Sequence, residues 1–147
     1  MKENKHLGVY GLIIEEDKIL LIKKATGPYD GKLYLPGGSI KFLEKPEDTL
    51  KREIKEETGL KITKFNLLDC DSVSITWTWN NQKTITHHIG VFYKITSYEG
   101  EILENIKIDD INDDSLGAKF YTINKLNKND LSKIAILQLV KLGYKLK

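Results

Sequence analysis

Residues 46–58, PEDTLKREIKEET, constrain this chain more than any other stretch. Pro46 suits a first helical turn, Glu47 and Asp48 complement the helix dipole, and Gly59 stands where a left-handed residue closes a helix. A helix is therefore bounded at both ends. At about 100° per residue, Glu53, Glu56 and Glu57 share one stripe, Leu50 and Ile54 lie beside it, and Lys51 and Lys55 fall on the opposite side. The apolar edge that docks the helix aims the acids at whatever it packs against. Carboxylates held together repel one another unless a hard, oxygen-preferring cation neutralises them, and magnesium or manganese meets that need. The plainer alternative is a surface helix whose glutamates pair with Arg52, Lys51 and Lys55.

Strand-forming sequence surrounds this helix. LGVYGLIIEEDKILLIKK (7–24) has two aliphatic runs around a polar tetrad, the pattern of a hairpin. Residues 62–79 and 83–97 are rich in Ile, Thr, Val, Trp and Tyr and are joined at Asn80, Asn81 and Gln82, as expected of a long antiparallel pair. A short LYL strand stands between two loops, the second being Pro36-Gly37-Gly38, and AKFYTI forms a last strand. Asn129 or Asp130 caps a final helix, LSKIAILQLVKL. A mixed sheet with helices on its faces is the simplest layer solution, an α/β fold.

At 147 residues the chain is sized for a single domain, 1–147. Its 23 basic and 21 acidic residues leave a net charge of +2, too little for the one-signed field of a dedicated nucleic-acid or membrane-surface binder. Phosphate affinity must then be local. One cysteine, Cys70, allows neither an internal disulfide nor a thiolate metal cluster. With no leader-like or spanning apolar run, the expected location is cytoplasmic, with no membrane partner.

Residues 38–60, GSIKFLEKPEDTLKREIKEETGL, satisfy G-x5-E-x7-R-E-U-x-E-E-x-G-U, with U a bulky aliphatic residue. Gly38, Glu44, Arg52, Glu53, Ile54, Glu56, Glu57, Gly59 and Leu60 fill every fixed position. This resembles the signature of the Nudix hydrolases, MutT among them, and LYLPG resembles their usual lead-in. The resemblance implies a Nudix-type α/β/α sandwich around a mixed β-sheet. Two positions depart from common usage: Lys41, where many members have Glu, and Leu43, where many have Gly.

The resemblance further implies divalent-metal-dependent hydrolysis of a nucleoside diphosphate linked to another moiety, by attack of water on phosphorus. Such transfers need positioning and charge neutralisation rather than a covalent nucleophile. Carried over residue by residue, Glu53, Glu56 and Glu57 bind Mg2+, or Mn2+ in its place, and Gly37 offers its backbone carbonyl. Arg52, paired with Glu44, orients the acids, while the identity of the general base stays open. Asp114, with Asp113 close behind, is the candidate for a further metal ligand from the acidic segment before the last strand. Lys23 and Gly38 are substrate-binding candidates. Trp77 and Trp79 share a strand face and either stack on a base or pack the core. His87 and His88 alternate faces, and neither is expected to bind metal. A nucleoside triphosphate is the expected substrate, since a chain this short spares few residues for a second recognition domain, and the missing downstream proline common in ADP-ribose-acting members makes that subclass less expected. The alternative from another class is a nucleotide-sensing or protein-binding module without turnover, whose mark would be eroded acids. RNA-end processing would need a basic path that the near-neutral charge does not supply.

Overall fold

The computed structural model describes residues 1–24, 31–103 and 115–147. Its strands are β1 (Lys2–Leu12), β2 (Ile14–Glu15), β3 (Lys18–Lys24), β4 (Leu33–Tyr34), β5 (Gly37–Ser39), β6 (Lys61–Trp79), β7 (Gln82–Glu99) and β8 (Ser115–Thr122). Two α-helices accompany them, α1 (Pro46–Thr58) and α2 (Lys133–Lys141). One sheet has the order β5-β1-β7-β6, and a second joins β2, β3 and β4, with β8 on the other side of β3. β1 and β7 run parallel from Lys2 opposite Thr84 to Leu12 opposite Lys94, whereas the other strand pairs are antiparallel. The sheet is mixed, as expected.

Two apolar cores show why a helix lies on each side. Leu50 and Ile54 of α1 pack on Val9, Leu20, Ile22, Tyr93 and Ile95, while Ile134, Ala135 and Leu139 of α2 pack on Tyr10, Leu12, Ile19, Leu21 and Phe92. Alternate residues of β1 and β3 thus serve opposite cores, which is why both strands read as continuous aliphatic runs. The α/β/α sandwich follows from burying both faces.

Local signals place several elements where expected. α1 spans Pro46–Thr58, and Gly59 closes it at φ 82°, its N–H donating to the Lys55 carbonyl. The β6–β7 hairpin turns at Asn80 and Asn81, both at positive φ (50° and 59°), as a two-residue loop between right-twisted strands requires.

Three expectations are corrected. The runs of 7–24 do not pair with each other along their length: β1 joins β5 and β7, and only Ile14–Glu15 folds back on Lys18–Ile19. Between them the chain crosses from one sheet to the other at Ile13, whose carbonyl accepts from the Leu20 N–H. Gly37–Ser39 is a strand on the edge of the first sheet rather than a loop. Asn129 and Asp130 belong to a 3-10 turn anchored on Asn127, so Ser132 becomes the α2 cap and accepts from the Ala135 N–H.

Candidate active site

The site is built where α1 crosses β5, and each of the three β5 residues has a separate part in it. The Gly37 N–H donates to Glu57 Oε1 at 2.8 Å. A Cβ on Gly38 would lie 2.6 Å from the Glu53 carboxyl carbon, so the missing side chain is the space that this carboxylate occupies. The Ser39 carbonyl accepts from Arg52 Nη2 at 3.1 Å. Residue 37 must also be glycine, because it has φ 144° and a Cβ there would sit 2.1 Å from the Val9 carbonyl oxygen.

Glu57 is 3% exposed on the buried side of α1. A carboxylate there needs donors, and the Tyr34 hydroxyl supplies a second one to Oε2. Arg52 organises the other acids. Its Nε and Nη2 make a bidentate pair with Glu44 at 2.8 and 2.9 Å, and Nη1 donates to Glu53 at 2.8 Å and to Glu56 at 3.5 Å. Glu44 is further held by the Thr49 hydroxyl at 2.6 Å and the Lys41 N–H at 3.1 Å. The Arg52 hydrogen bonds, followed by that from Thr49, hold the Glu44 carboxyl far below the usual carboxylate range. In return Glu44, and after it Glu53, raise the Arg52 guanidinium above its ordinary value.

Glu53, Glu56, Glu57, Arg52, Glu44, Gly37 and Gly38 are therefore brought to one place. The three acids are divided, however, with Glu53 and Glu56 turned to Arg52 and Glu57 turned to Tyr34 and Gly37. Among the described residues no three acid, histidine or cysteine side chains are gathered into a ready cation cage. The donor set still fits a hard divalent ion: carboxylates on one helical stripe, beside glycine backbone that presents no side chain to obstruct it. Asp113 and Asp114 lie outside the described residues.

The substrate-binding candidates separate. Trp77 and Trp79 share a face and stack at 6.0 Å, with Trp77 Nε1 donating to Thr86. Trp77 lines a shallow cavity of about 290 Å³ with Asn4, Lys5, His6, Ser39 and Thr86. Ser39 lines that cavity with its side chain on the α2 face of the sheet, and its carbonyl accepts from Arg52. Trp79 lies at the hairpin tip with Lys2 Nζ 4.5 Å from its ring, and is not among the residues of that cavity. Lys23 is exposed on β3 opposite Leu33, with no described contact to the acids. His88 is buried and His87 exposed, so the two do alternate.

Sequence reasoning did not find the parts played by Tyr34, Thr49, Ser39 and His6. For Tyr34 a signal existed: an acid one turn beyond Leu50 and Ile54 is buried, and a buried acid implies a donor across from it. Thr49 meets Glu44 only five residues away, through the path of the loop into α1, while His6 meets Ser39 through the β1–β5 register and Ser39 meets Arg52 through the docking of α1 on β5.

These features place a braced cluster of carboxylates beside a glycine-containing edge strand on an α/β/α sandwich. The NUDIX domain model matches residues 4–139, and the chain belongs to that family. It is 33% identical over 122 residues to the ADP-ribose pyrophosphatase of Methanocaldococcus jannaschii, covering 83% of this chain and 64% of that protein. It is 32% identical over 101 residues to a probable DHNTP pyrophosphohydrolase of Lactococcus lactis subsp. cremoris, covering 67% of this chain and 59% of that protein. The matched stretch thus spans less than two thirds of either relative. In fold it is similar to the crystal structure of a MutT NUDIX hydrolase from Burkholderia pseudomallei, with TM-score 0.75, 24% identity, and coverage of 95% of this chain and 99% of that one. No helix among the described residues is long and apolar enough to cross a membrane.

Proposed function

We propose that the chain is a divalent-metal-dependent pyrophosphohydrolase acting on a nucleoside diphosphate linked to another group. One observation carries this reading: Glu53, Glu56 and Glu57 share the α1 stripe, with Glu53 lying against Gly38, Glu57 bonded to Gly37 and Tyr34, and Arg52 bonded to both Glu53 and Glu56. The two relatives described above are named for a pyrophosphatase or pyrophosphohydrolase activity, one on ADP-ribose and the other on DHNTP. The pyrophosphate link is what those names share.

The three glutamates hold the cation, Mg2+ or Mn2+, with the Gly37 carbonyl and an acid of the Asp113–Asp114 region as further candidates. A divalent ion held there would supply neutralisation of developing phosphoryl charge and a more acidic water. The chain's own residues supply position. Arg52, locked by Glu44, fixes the directions of Glu53 and Glu56, which are the more accessible acids and the ones placed to accept a proton from the attacking water. Glu57, buried with both oxygens engaged, holds its position. Trp77 offers the face on which a base stacks, in the cavity that begins at Ser39. A nucleoside triphosphate is the first substrate to try, and ADP-ribose, for which the Methanocaldococcus jannaschii relative is named, is the second.

Purified protein with Mg2+ is to be screened against nucleoside triphosphates, ADP-ribose, nucleotide sugars, dinucleoside polyphosphates and capped RNA, following release of phosphate, pyrophosphate and nucleoside monophosphate. Turnover of at least one substrate is expected, with kcat lowered by at least about 100-fold in Glu57→Gln. Full activity in that variant removes the assigned role. Ligand binding without product in the wild type favours the sensing module instead.

A further inference from the structure

A column of aromatic and polar side chains runs across β1 and β7 and ends on β5 at the residue that ties Arg52 to the sheet. His88, 1% exposed, shares a hydrogen bond with the Tyr10 hydroxyl at 2.6 Å. The His6 ring lies on His88 at 4.6 Å, with 6° between the ring planes. His6 Nε2 is in turn hydrogen-bonded to Ser39 Oγ at 2.8 Å. Two glycines facing each other in register, Gly8 and Gly90, make room for the column. A Cβ on Gly8 would lie 2.2 Å from the Tyr10 hydroxyl, and one on Gly90 would lie 2.4 Å from Phe92 Cζ.

The far end of this column matters because of what Ser39 does next. Among the described contacts, the Arg52 guanidinium bonds Glu53 and Glu56 on its own helix, Glu44 on the adjoining loop, and the Ser39 carbonyl. Of these, only Ser39 belongs to the sheet. It is also the last residue of a three-residue strand, just before the chain leaves for the Lys41–Glu44 turn. Strand pairing over so short a length holds residue 39 weakly, and the side-chain bond to His6 adds a second attachment.

We infer that His6 is a positioning residue: it anchors Ser39, Ser39 sets Arg52 on the sheet, and Arg52 sets the carboxylates. The inference rests on the metal-binding role proposed for Glu53, Glu56 and Glu57.

The test uses Mn2+ alone as probe, titrated by the EPR signal of the free ion into full-length wild type, Ser39→Ala, His6→Ala, the double variant and His6→Gln. Ser39 is exposed, so Ser39→Ala removes one hydroxyl without touching a core and stays informative if His6→Ala folds poorly. Each alanine variant is expected to raise the Mn2+ Kd by about three- to tenfold. The double variant should be no worse than the weaker-binding single, because both remove the same link. His6→Gln, which keeps a polar end near Ser39, should recover most of the loss. A second readout needs neither metal nor turnover: the Arg52 Nη2–H resonances, assigned by their loss in Arg52→Lys, should exchange with water faster in Ser39→Ala. A Kd in Ser39→Ala within twofold of wild type, effects that add in the double variant, or unchanged Arg52 exchange each overturn the inference. If wild type does not bind Mn2+ at all, the metal reading fails by itself, and the exchange measurement still decides whether His6 and Ser39 position Arg52.

Discussion

Leu43→Gly is expected to stabilise the protein. Leu43 occupies the left-handed region at φ 65° in a turn closed by the Glu44 N–H donating to the Lys41 carbonyl. An L-residue with a Cβ is disfavoured there by about 1–2 kcal/mol. Leucine recovers little of this through burial, since it is 87% exposed. Glycine removes the steric cost but loses more chain entropy on folding, by about 0.5–1 kcal/mol. The net gain then lies between about 0 and 1.5 kcal/mol, centred at about 0.7 kcal/mol or roughly 2–4 °C in Tm for a chain of this size. Urea unfolding and thermal melts of wild type, Leu43→Gly and Leu43→Ala measure it. Alanine keeps the Cβ, so it should not reproduce the gain. A Leu43→Gly variant less stable than wild type, or an alanine variant equally stabilised, refutes the backbone origin. The same turn leads into Glu44, so the departure from glycine at this position is one of conformational cost rather than of lost chemistry.

Other outcomes follow from the site. Tyr34→Phe removes a donor from the buried Glu57 carboxylate and should lower stability by about 1.5–3 kcal/mol, read from urea unfolding; a loss below about 0.5 kcal/mol would show that Glu57 finds another donor. Glu44 has a folded-state pKa below its unfolded value, so it contributes stability above about pH 4 that is lost as pH falls through the depressed value. Glu44→Gln should therefore be less stable than wild type at neutral pH and show a shallower acid limb in melts across pH 2 to 7, whereas parallel curves would remove Glu44 from acid unfolding.

Much of the architecture was legible because it is written locally. Pro46 and Gly59 bound α1 through backbone chemistry within a turn of each end, and Asn80–Asn81 bend the hairpin because both residues tolerate positive φ. The carboxylate stripe needs only the helical period. Pairing was less legible: the aliphatic runs of β1 and β3 fit either a shared hairpin or two separate sheets, and periodicity does not distinguish them, since both strands are buried on two faces. Gly37–Ser39 reads as a loop because its glycines are turn formers, and only its pairing with β1 makes it a strand.

The sequence alone determined that a helix presents three carboxylates, with an arginine and a glutamate spaced to brace them. Tertiary structure decided how those acids are shared out. Glu57 turns inward because Tyr34 lies across from it, 23 residues away in the chain, and Ser39 meets His6 across a separation of 33. Such partners are chosen by strand register and by which face of a sheet a helix covers, and those depend on the packing of the whole core rather than on any neighbouring residue.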